Sequence, residues 1–177
     1  YLEKQDKWGI SDLACDYIYI GKNRVSFEIP GTLNIIQDFS YWKKEKKKSH
    51  FPLFNLENYV DGFNYKGIKF VNLKSDELTD KLIKKFKNDN SIILIIDCYK
   101  TKKSWNQKNI FLKLDQLKSK IPVIIKGMYD GLSVSNLQIN SSIDIGSLLI
   151  EGFGEGIFIT NILALDNKIL ESINRLS

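Results

Sequence analysis

Side chains suited to metal and thiol chemistry are scarce in this 177-residue sequence, which has one histidine, His50, and two cysteines, Cys15 and Cys98. These three residues cannot make a standard zinc or iron–sulfur site within the chain. Neither cysteine lies in a C-x-x-C, and no spacing recommends a Cys/His pair for nucleophilic work. The two thiols read as reduced, core or near-core residues of a cytosolic protein. Proline is also rare, at three residues, and no low-complexity linker divides the chain, so residues 1–177 are expected to form a single domain. No apolar run approaches the roughly 20 residues of a membrane span. The opening Tyr-Leu-Glu-Lys-Gln-Asp lacks the apolar stretch of a signal peptide and has no initiator Met. The expectation is a piece cut from a longer polypeptide.

What is present is ordinary for a soluble globular domain: 43% hydrophobic and 27% charged residues. The net charge of +5 comes largely from residues 43–48, five lysines and one glutamate, and the rest is close to neutral. A basic face spread over a surface suggests nucleic acid, whereas one lysine-rich loop reads as a solvated loop. The solvated loop is the favoured reading. A nucleic-acid module using these lysines with Tyr41 and Trp42 is kept as an alternative, and it predicts salt-sensitive binding.

Residues 121–160 organise the chain. Residues 123–125 are a β-branched run behind Pro122, the mark of a strand buried on both faces. Residues 135–150 carry Leu137, Ile143, Leu148 and Leu149 near helical spacing, with Ser135 as N-cap. Gly152, Gly154 and Gly156 then punctuate a turn into a second apolar run, 157–159. Strand, helix, turn and strand make a βαβ unit, expected to be parallel with a right-handed crossover.

The same alternation runs upstream. Strands are expected at 17–20, 33–36, 68–73 and 91–96. A further one at 51–54 is interrupted by Pro52 and so is expected to be weak or at an edge. A short helical turn is expected within residues 1–14, a connecting loop at 24–30 and a short helix or turn at 57–63. Ser75 is read as capping a helix whose buried stripe is Leu78, Leu82, Ile83 and Phe86, with Asp76 and Glu77 in its first turn and Lys84, Lys85 and Lys87 near its end. A second helix at 106–119 buries Ile110, Phe111, Leu114 and Leu117. A last one, capped by Asp166, buries Ile169, Leu170, Ile173 and Leu176. Six or seven strands, several without polar alternation, indicate an α/β protein with a parallel sheet. The reading is a TIM-barrel-like (β/α) barrel, possibly incomplete, since a full barrel has eight strands and the N-terminal cut can have removed the first. An open, doubly wound parallel sheet is the alternative.

Two features invite a chemical reading. The turn at residues 151–156, Glu-Gly-Phe-Gly-Glu-Gly, looks like a phosphate cradle. It leads from helix to strand, however, whereas phosphate loops lead from strand to helix, so a helix C-cap with a tight turn explains it better. Residues just after the strand C-termini occupy the active face of a barrel. Here these are Gly21-Lys22, Asp38, Lys74, Asp97, Lys126 and Thr160. Asp97 with Lys126 is the candidate acid/base or anion-binding pair, weighed against a plain salt bridge on a polar rim, which is favoured. Tyr99, Trp105 and Tyr129 either line a pocket there or cap the strands.

Several segments also resemble a known family: Pro122-Val123-Ile124-Ile125-Lys126, Ser142-Ile143-Asp144-Ile145-Gly146, Leu148-Leu149 and Glu151-Gly152-Phe153-Gly154-Glu155-Gly156-Ile157. Weaker matches are Asp16-Tyr17-Ile18-Tyr19-Ile20-Gly21, Phe27-Glu28-Ile29-Pro30 and Phe51-Pro52-Leu53-Phe54. Together they resemble the insert domain of the three-domain 4-hydroxy-3-methylbut-2-enyl diphosphate synthases of the methylerythritol phosphate route to isoprenoids. That form occurs in plants and in some bacteria, Bacteroidetes among them. The resemblance implies a middle domain that looks like a degenerate copy of the catalytic barrel, placed between that barrel and a C-terminal [4Fe–4S] domain. It implies a cytoplasmic bacterial parent, an oxidoreductase and homodimer that takes electrons from ferredoxin or flavodoxin. The parent would convert 2-C-methyl-erythritol 2,4-cyclodiphosphate to 4-hydroxy-3-methylbut-2-enyl diphosphate. The family's catalytic barrel carries a functional Glu in Thr-Glu-Ala-Gly at a strand end. The matching position here is Lys126, followed by Gly127, and a cation cannot do a carboxylate's work. The cluster cysteines have no counterpart, and the family's pattern would put them beyond Ser177. The resemblance therefore implies a spacer without catalytic, cofactor or metal residues of its own, whose partners are the other domains of the polypeptide, with neither nucleic acid nor membrane. The alternative is a free-standing barrel enzyme that acts on a phosphorylated metabolite through Lys126 and Asp97, with an eighth strand and a ligand-sized pocket at the strand C-termini.

Overall fold

The computed structural model describes residues 3–10, 14–26, 28–59, 65–97 and 103–160. Seven strands form one parallel sheet: β1 (Tyr17–Gly21), β2 (Asn34–Asp38), β3 (His50–Asn55), β4 (Lys69–Lys74), β5 (Ile92–Asp97), β6 (Val123–Met128) and β7 (Gly156–Thr160). They lie side by side in chain order, each paired parallel with the next. A doubly wound sheet reverses its strand order at a switch point. This order has none, which excludes the open-sheet alternative. The sheet curls strongly. Seven flat strands at about 4.8 Å spacing would set β1 and β7 some 29 Å apart, yet the rings of Tyr19 on β1 and Phe158 on β7 meet at 5.7 Å. Tyr17 likewise reaches Phe70 of β4 at 5.2 Å. The result is an incomplete parallel barrel of seven described strands.

Strand periodicity divides the side chains between two cores. The outer core joins Phe54, Val71, Leu73, Leu94, Ile96 and Val123 to the helices. The inner core is built from strands alone, with Ile36, Leu53, Phe70 and Ile95 packed by Tyr17, Phe51, Ile124 and Phe158. Aromatic rings occupy part of the inner space, beside a cavity that Tyr17, Ile36, Ile95, Ile124 and Phe158 help to line.

The helices are α1 (Phe39–Trp42), α2 (Asp80–Phe86), α3 (Lys103–Gln116), α4 (Val134–Ser141) and α5 (Ser147–Ile150), with a π-helical stretch, Ser142–Gly146, joining the last two. Short 3₁₀ turns occur at Glu3–Gln5 and Leu56–Asn58. The sequence expectations hold for β1, β2, β4, β5, β6 and β7 within two or three residues, but four details differ.

β3 is interior, between β2 and β4, despite Pro52. Its ladder to β4 begins at Leu53↔Phe70, one residue past Pro52, so the missing N–H removes no rung there. α2 begins at Asp80, not after Ser75. Residues 74–77 close a turn in which the Lys74 N–H donates to Glu77 Oε2 at 2.7 Å, which occupies the carboxylate expected in the helix. Thr79 is the cap, accepting from the Leu82 N–H. The buried Leu78 and Ile83 then sit at the staple positions around it. α3 starts at Lys103 and is closed by Lys118 at a φ of 49°. The α4 cap is Ser133, not Ser135, and accepts from the Asn136 N–H.

In α4–α5 the buried apolar side chains are Leu137, Ile145 and Leu148. Ile143 and Leu149, grouped with Leu137 and Leu148 by helical spacing, are exposed. At about 100° per residue, Ile143 and Leu149 fall well round the helix from Leu137, whereas Leu148 returns to its side and packs with Ile145 on Ile125. The expected last helix, 166–176, lies outside the described residues, as do residues 60–64 of the expected 57–63 element.

Candidate functional site

The strand C-termini bring one row of candidate residues together. Lys74, Asp97 and Lys126 are register partners on β4, β5 and β6. They point to the inside of the curl, in phase with Ile95 and Ile124 of the inner core. Lys126 Nζ lies 3.2 Å from Asp97 Oδ2, with side chains only 14% and 16% exposed. The same ammonium stands 6.0 Å from the Phe158 ring, within reach of a cation–π contact. Burial this deep strengthens the attraction and raises the cost of leaving either group alone. The pair expected from sequence is therefore formed, and each member is engaged by the other.

The other strand-end candidates do not converge on it. Asp38 Oδ1 accepts from the Tyr19 hydroxyl at 2.7 Å. Burial first, and this hydrogen bond second, push the Tyr19 hydroxyl pKa well above its usual value, so it stays protonated. Thr160 Oγ1 donates to the Gly127 carbonyl at 3.4 Å. Lys22 and Lys74 are exposed, and Gly21 closes β1 at a φ of 59°. Tyr129 is buried and donates to Asp144 Oδ2 at 3.4 Å, so it packs against the α4–α5 stretch. Cys98, Tyr99 and the Trp105 side chain lie outside the described residues.

The glycine turn behaves as a cap. The Gly152 N–H donates to the Leu149 carbonyl and the Phe153 N–H to the Leu148 carbonyl. Gly152 and Gly154 take φ of 81° and 82°. A Cβ on Gly154 would stand 2.9 Å from Ile125 Cδ1. Glu155 turns back to β6, its Oε2 accepting from the Val123 N–H at 2.7 Å. These bonds and glycines serve the join between helix and strand.

Among the described residues, cavities lie away from the pair. One of about 510 Å³ opens between the starts of β1 and β7, lined by Cys15, Asp16, Tyr17, Glu155 and Phe158 among others. Another, about 270 Å³, lies by Pro30, Lys48 and His50. Neither is lined by Asp97 or Lys126. Burial raises the Cys15 pKa, which keeps it a thiol rather than a reactive thiolate. His50 is pushed toward its neutral form by burial first and by Lys47 second. Among the described residues no group of three or more His, Cys, Asp or Glu is placed to hold a metal ion, and no helix is long and apolar enough to cross a membrane.

The lysine-rich loop is largely self-engaged. Glu45 pairs with Arg24 and Lys47, Lys44 stands over Tyr41, and Lys46 stands over Trp42. Trp42 is itself 1% exposed, and its indole N–H donates to the His50 carbonyl. It is therefore a core residue, not a platform for stacking bases. Sequence reasoning missed three polar features. These are the Tyr19–Asp38 bond, the Lys69–Asp89 ion pair at 2.8 Å, and Asn72, whose Oδ1 is buried on the inner face without a hydrogen-bond partner. Strand periodicity could have placed Asn72 beside Ile95, which is its register partner.

Comparison with known proteins points in one direction. The chain is 28% identical over 147 residues to a 4-hydroxy-3-methylbut-2-en-1-yl diphosphate synthase (flavodoxin) of Parabacteroides distasonis, covering 82% of this chain and 24% of that protein. The enzyme of the same name from Phocaeicola vulgatus is 23% identical over 158 residues, 89% of this chain and 25% of the relative. That of Porphyromonas gingivalis is 26% identical over 102 residues. The chain thus spans about a quarter or less of the length of these relatives. No family model matches it, and no solved structure does.

Proposed function

We propose that this chain is the insert domain of a longer polypeptide related to 4-hydroxy-3-methylbut-2-enyl diphosphate synthase, and that it serves as a spacer and docking surface rather than as a catalyst. The observation that carries the reading is the lopsided match: 82% of this chain against 24% of a relative. That is what one domain of a multidomain enzyme leaves.

The chemistry of the strand ends supports it. An acid/base or anion-binding pair has to reach its substrate. Here Asp97 and Lys126 neutralise each other in a nearly closed setting. With two cysteines in the whole sequence, the chain cannot furnish the thiolates of a [4Fe–4S] cluster. Cluster, catalytic barrel and flavodoxin- or ferredoxin-docking surface are therefore assigned to the rest of the parent. The parent would reduce the cyclic diphosphate of methylerythritol to 4-hydroxy-3-methylbut-2-enyl diphosphate, as a homodimer in the bacterial cytoplasm. This domain would set the distance and orientation of the cluster domain relative to the barrel.

The intact mass and iron content of the native gene product test the reading. A polypeptide several times 20.5 kDa, brown and carrying about four irons per cluster, supports it. A colourless product of this size overturns it and returns attention to Asp97 and Lys126 as a working pair.

A further inference from the structure

The outward face of α4–α5 is chemically unlike the rest of the surface. Residues 134–150 hold a single charged side chain, Asp144, in a chain that is 27% charged. Asp144 is only half-buried and accepts the Tyr129 hydroxyl. Ile139, Ile143 and Ile150 stand 57%, 63% and 89% exposed, with serine and asparagine between them. At 1.5 Å per residue the stretch runs about 25 Å. It continues toward α3, where Leu112 is also exposed and Lys108 pairs with Glu151 just past α5. Single exposed aliphatics are normal on a protein surface. An uncharged aliphatic face along a whole amphipathic stretch marks an interface.

The chemistry of the face narrows what covers it. With one charge available, it cannot select a diffusing partner by charge complementarity. Depletion of charge is instead the mark of permanent interfaces, which resemble a core cut in half. The relatives also leave most of their polypeptide outside the matched stretch, since that stretch is 24% of the Parabacteroides enzyme. We propose that the Ile139–Ile143–Ile150 face seats an adjoining domain of the same longer polypeptide, one that presents an uncharged aliphatic surface of its own. This rests on the insert-domain reading and deepens it by naming the face that docks.

The test uses the full-length native polypeptide and its Ile143→Lys/Ile150→Lys variant, with limited proteolysis read by mass spectrometry and particle mass by light scattering. The expected result is cleavage at the junctions flanking residues 1–177 at least tenfold faster in the variant. An Ile143→Ser/Ile150→Ser variant, gentler on folding, should move the same way by a smaller factor. Cleavage within twofold of wild type in both variants overturns the proposal. A wild-type particle mass that rises with concentration and collapses to one copy in the variants also overturns it, assigning the face to a second copy. Iron content and turnover are read on the same samples. A polypeptide that keeps its cluster while cleavage is unchanged sinks the docking face alone, whereas one without a cluster sinks the insert-domain reading itself.

Discussion

α2 and the α4–α5 stretch do the same work on the inside and opposite work on the outside. Each lies between two strands of the sheet and buries aliphatic or aromatic side chains against it, Ile83 and Phe86 in one, Leu137, Ile145 and Leu148 in the other. Outward, α2 shows lysines and Asp80, while α4–α5 shows isoleucines among serines and asparagines. Their ends differ too. Beyond α2, the Lys69–Asp89 ion pair ties the chain to the start of β4, and Lys69 Nζ also donates to the Tyr65 carbonyl. Beyond α5, two glycines with positive φ do the tying. The inward face of a helix thus reports only that a sheet lies beneath it. The outward face reports whether water or protein lies above it.

The largest effects should come from the shared inner faces. Phe86→Ala and Leu137→Ala each remove a side chain that is 0% exposed, and chemical denaturation should show losses of about 4 and 3 kcal/mol. A loss under 1 kcal/mol at Leu137 would mean that α4–α5 is not packed as α2 is. Gly154→Ala forces a Cβ toward Ile125 at a φ of 82° and should cost about 2 kcal/mol. The equivalent change at exposed Asn88, past the end of α2, should cost little.

Asp89→Asn leaves Lys69, whose side chain is 6% exposed, without its counter-charge. Because Asp89 is about one-third exposed, the loss is discounted to about 2 kcal/mol. Burial acts to raise the Asp89 pKa, but the hydrogen bonds from Lys69 and Ser91 outweigh it and hold the carboxyl below its ordinary 3.8. A carboxyl depressed in the folded state contributes stability that is present above 3.8 and lost as pH falls through the folded value. Wild type should therefore lose stability below about pH 4, and Asp89→Asn should flatten that limb in a pH series of denaturation midpoints.

Thr79→Ala removes the α2 cap and should cost about 1 kcal/mol. Smallest of all is Ile143→Ser, expected within about 0.5 kcal/mol in the 177-residue chain. A loss above 1 kcal/mol there would show that the isoleucine face is covered by the chain itself, and the contrast with α2 would fail.

Much of the architecture could be read from local pattern. The largely β-branched runs at 92–96 and 123–125 became central strands because such side chains suit a strand buried on both faces. The glycines at 152 and 154 became a cap because positive φ is cheap for them alone. The Asp97–Lys126 pair was legible because both residues end adjacent parallel strands. Cap positions were less legible. Ser75 and Thr79 both suit an N-cap, as do Ser133 and Ser135, and which one serves depends on where the chain turns away from the sheet.

The sequence by itself determined the parallel α/β class, the inward stripe of α2 and the structural character of the glycine turn, because each arises from periodicity or backbone freedom within a few residues. Only the tertiary structure decided that β3 is interior despite Pro52, because ladder register determines whether a missing N–H matters. It alone decided that Trp42 is core and how deeply the Asp97–Lys126 pair is buried, because burial depends on residues distant in sequence. It also decided that Ile143 faces outward, because the side of the helix that meets the sheet is set by Ile145 and Leu148 packing on Ile125.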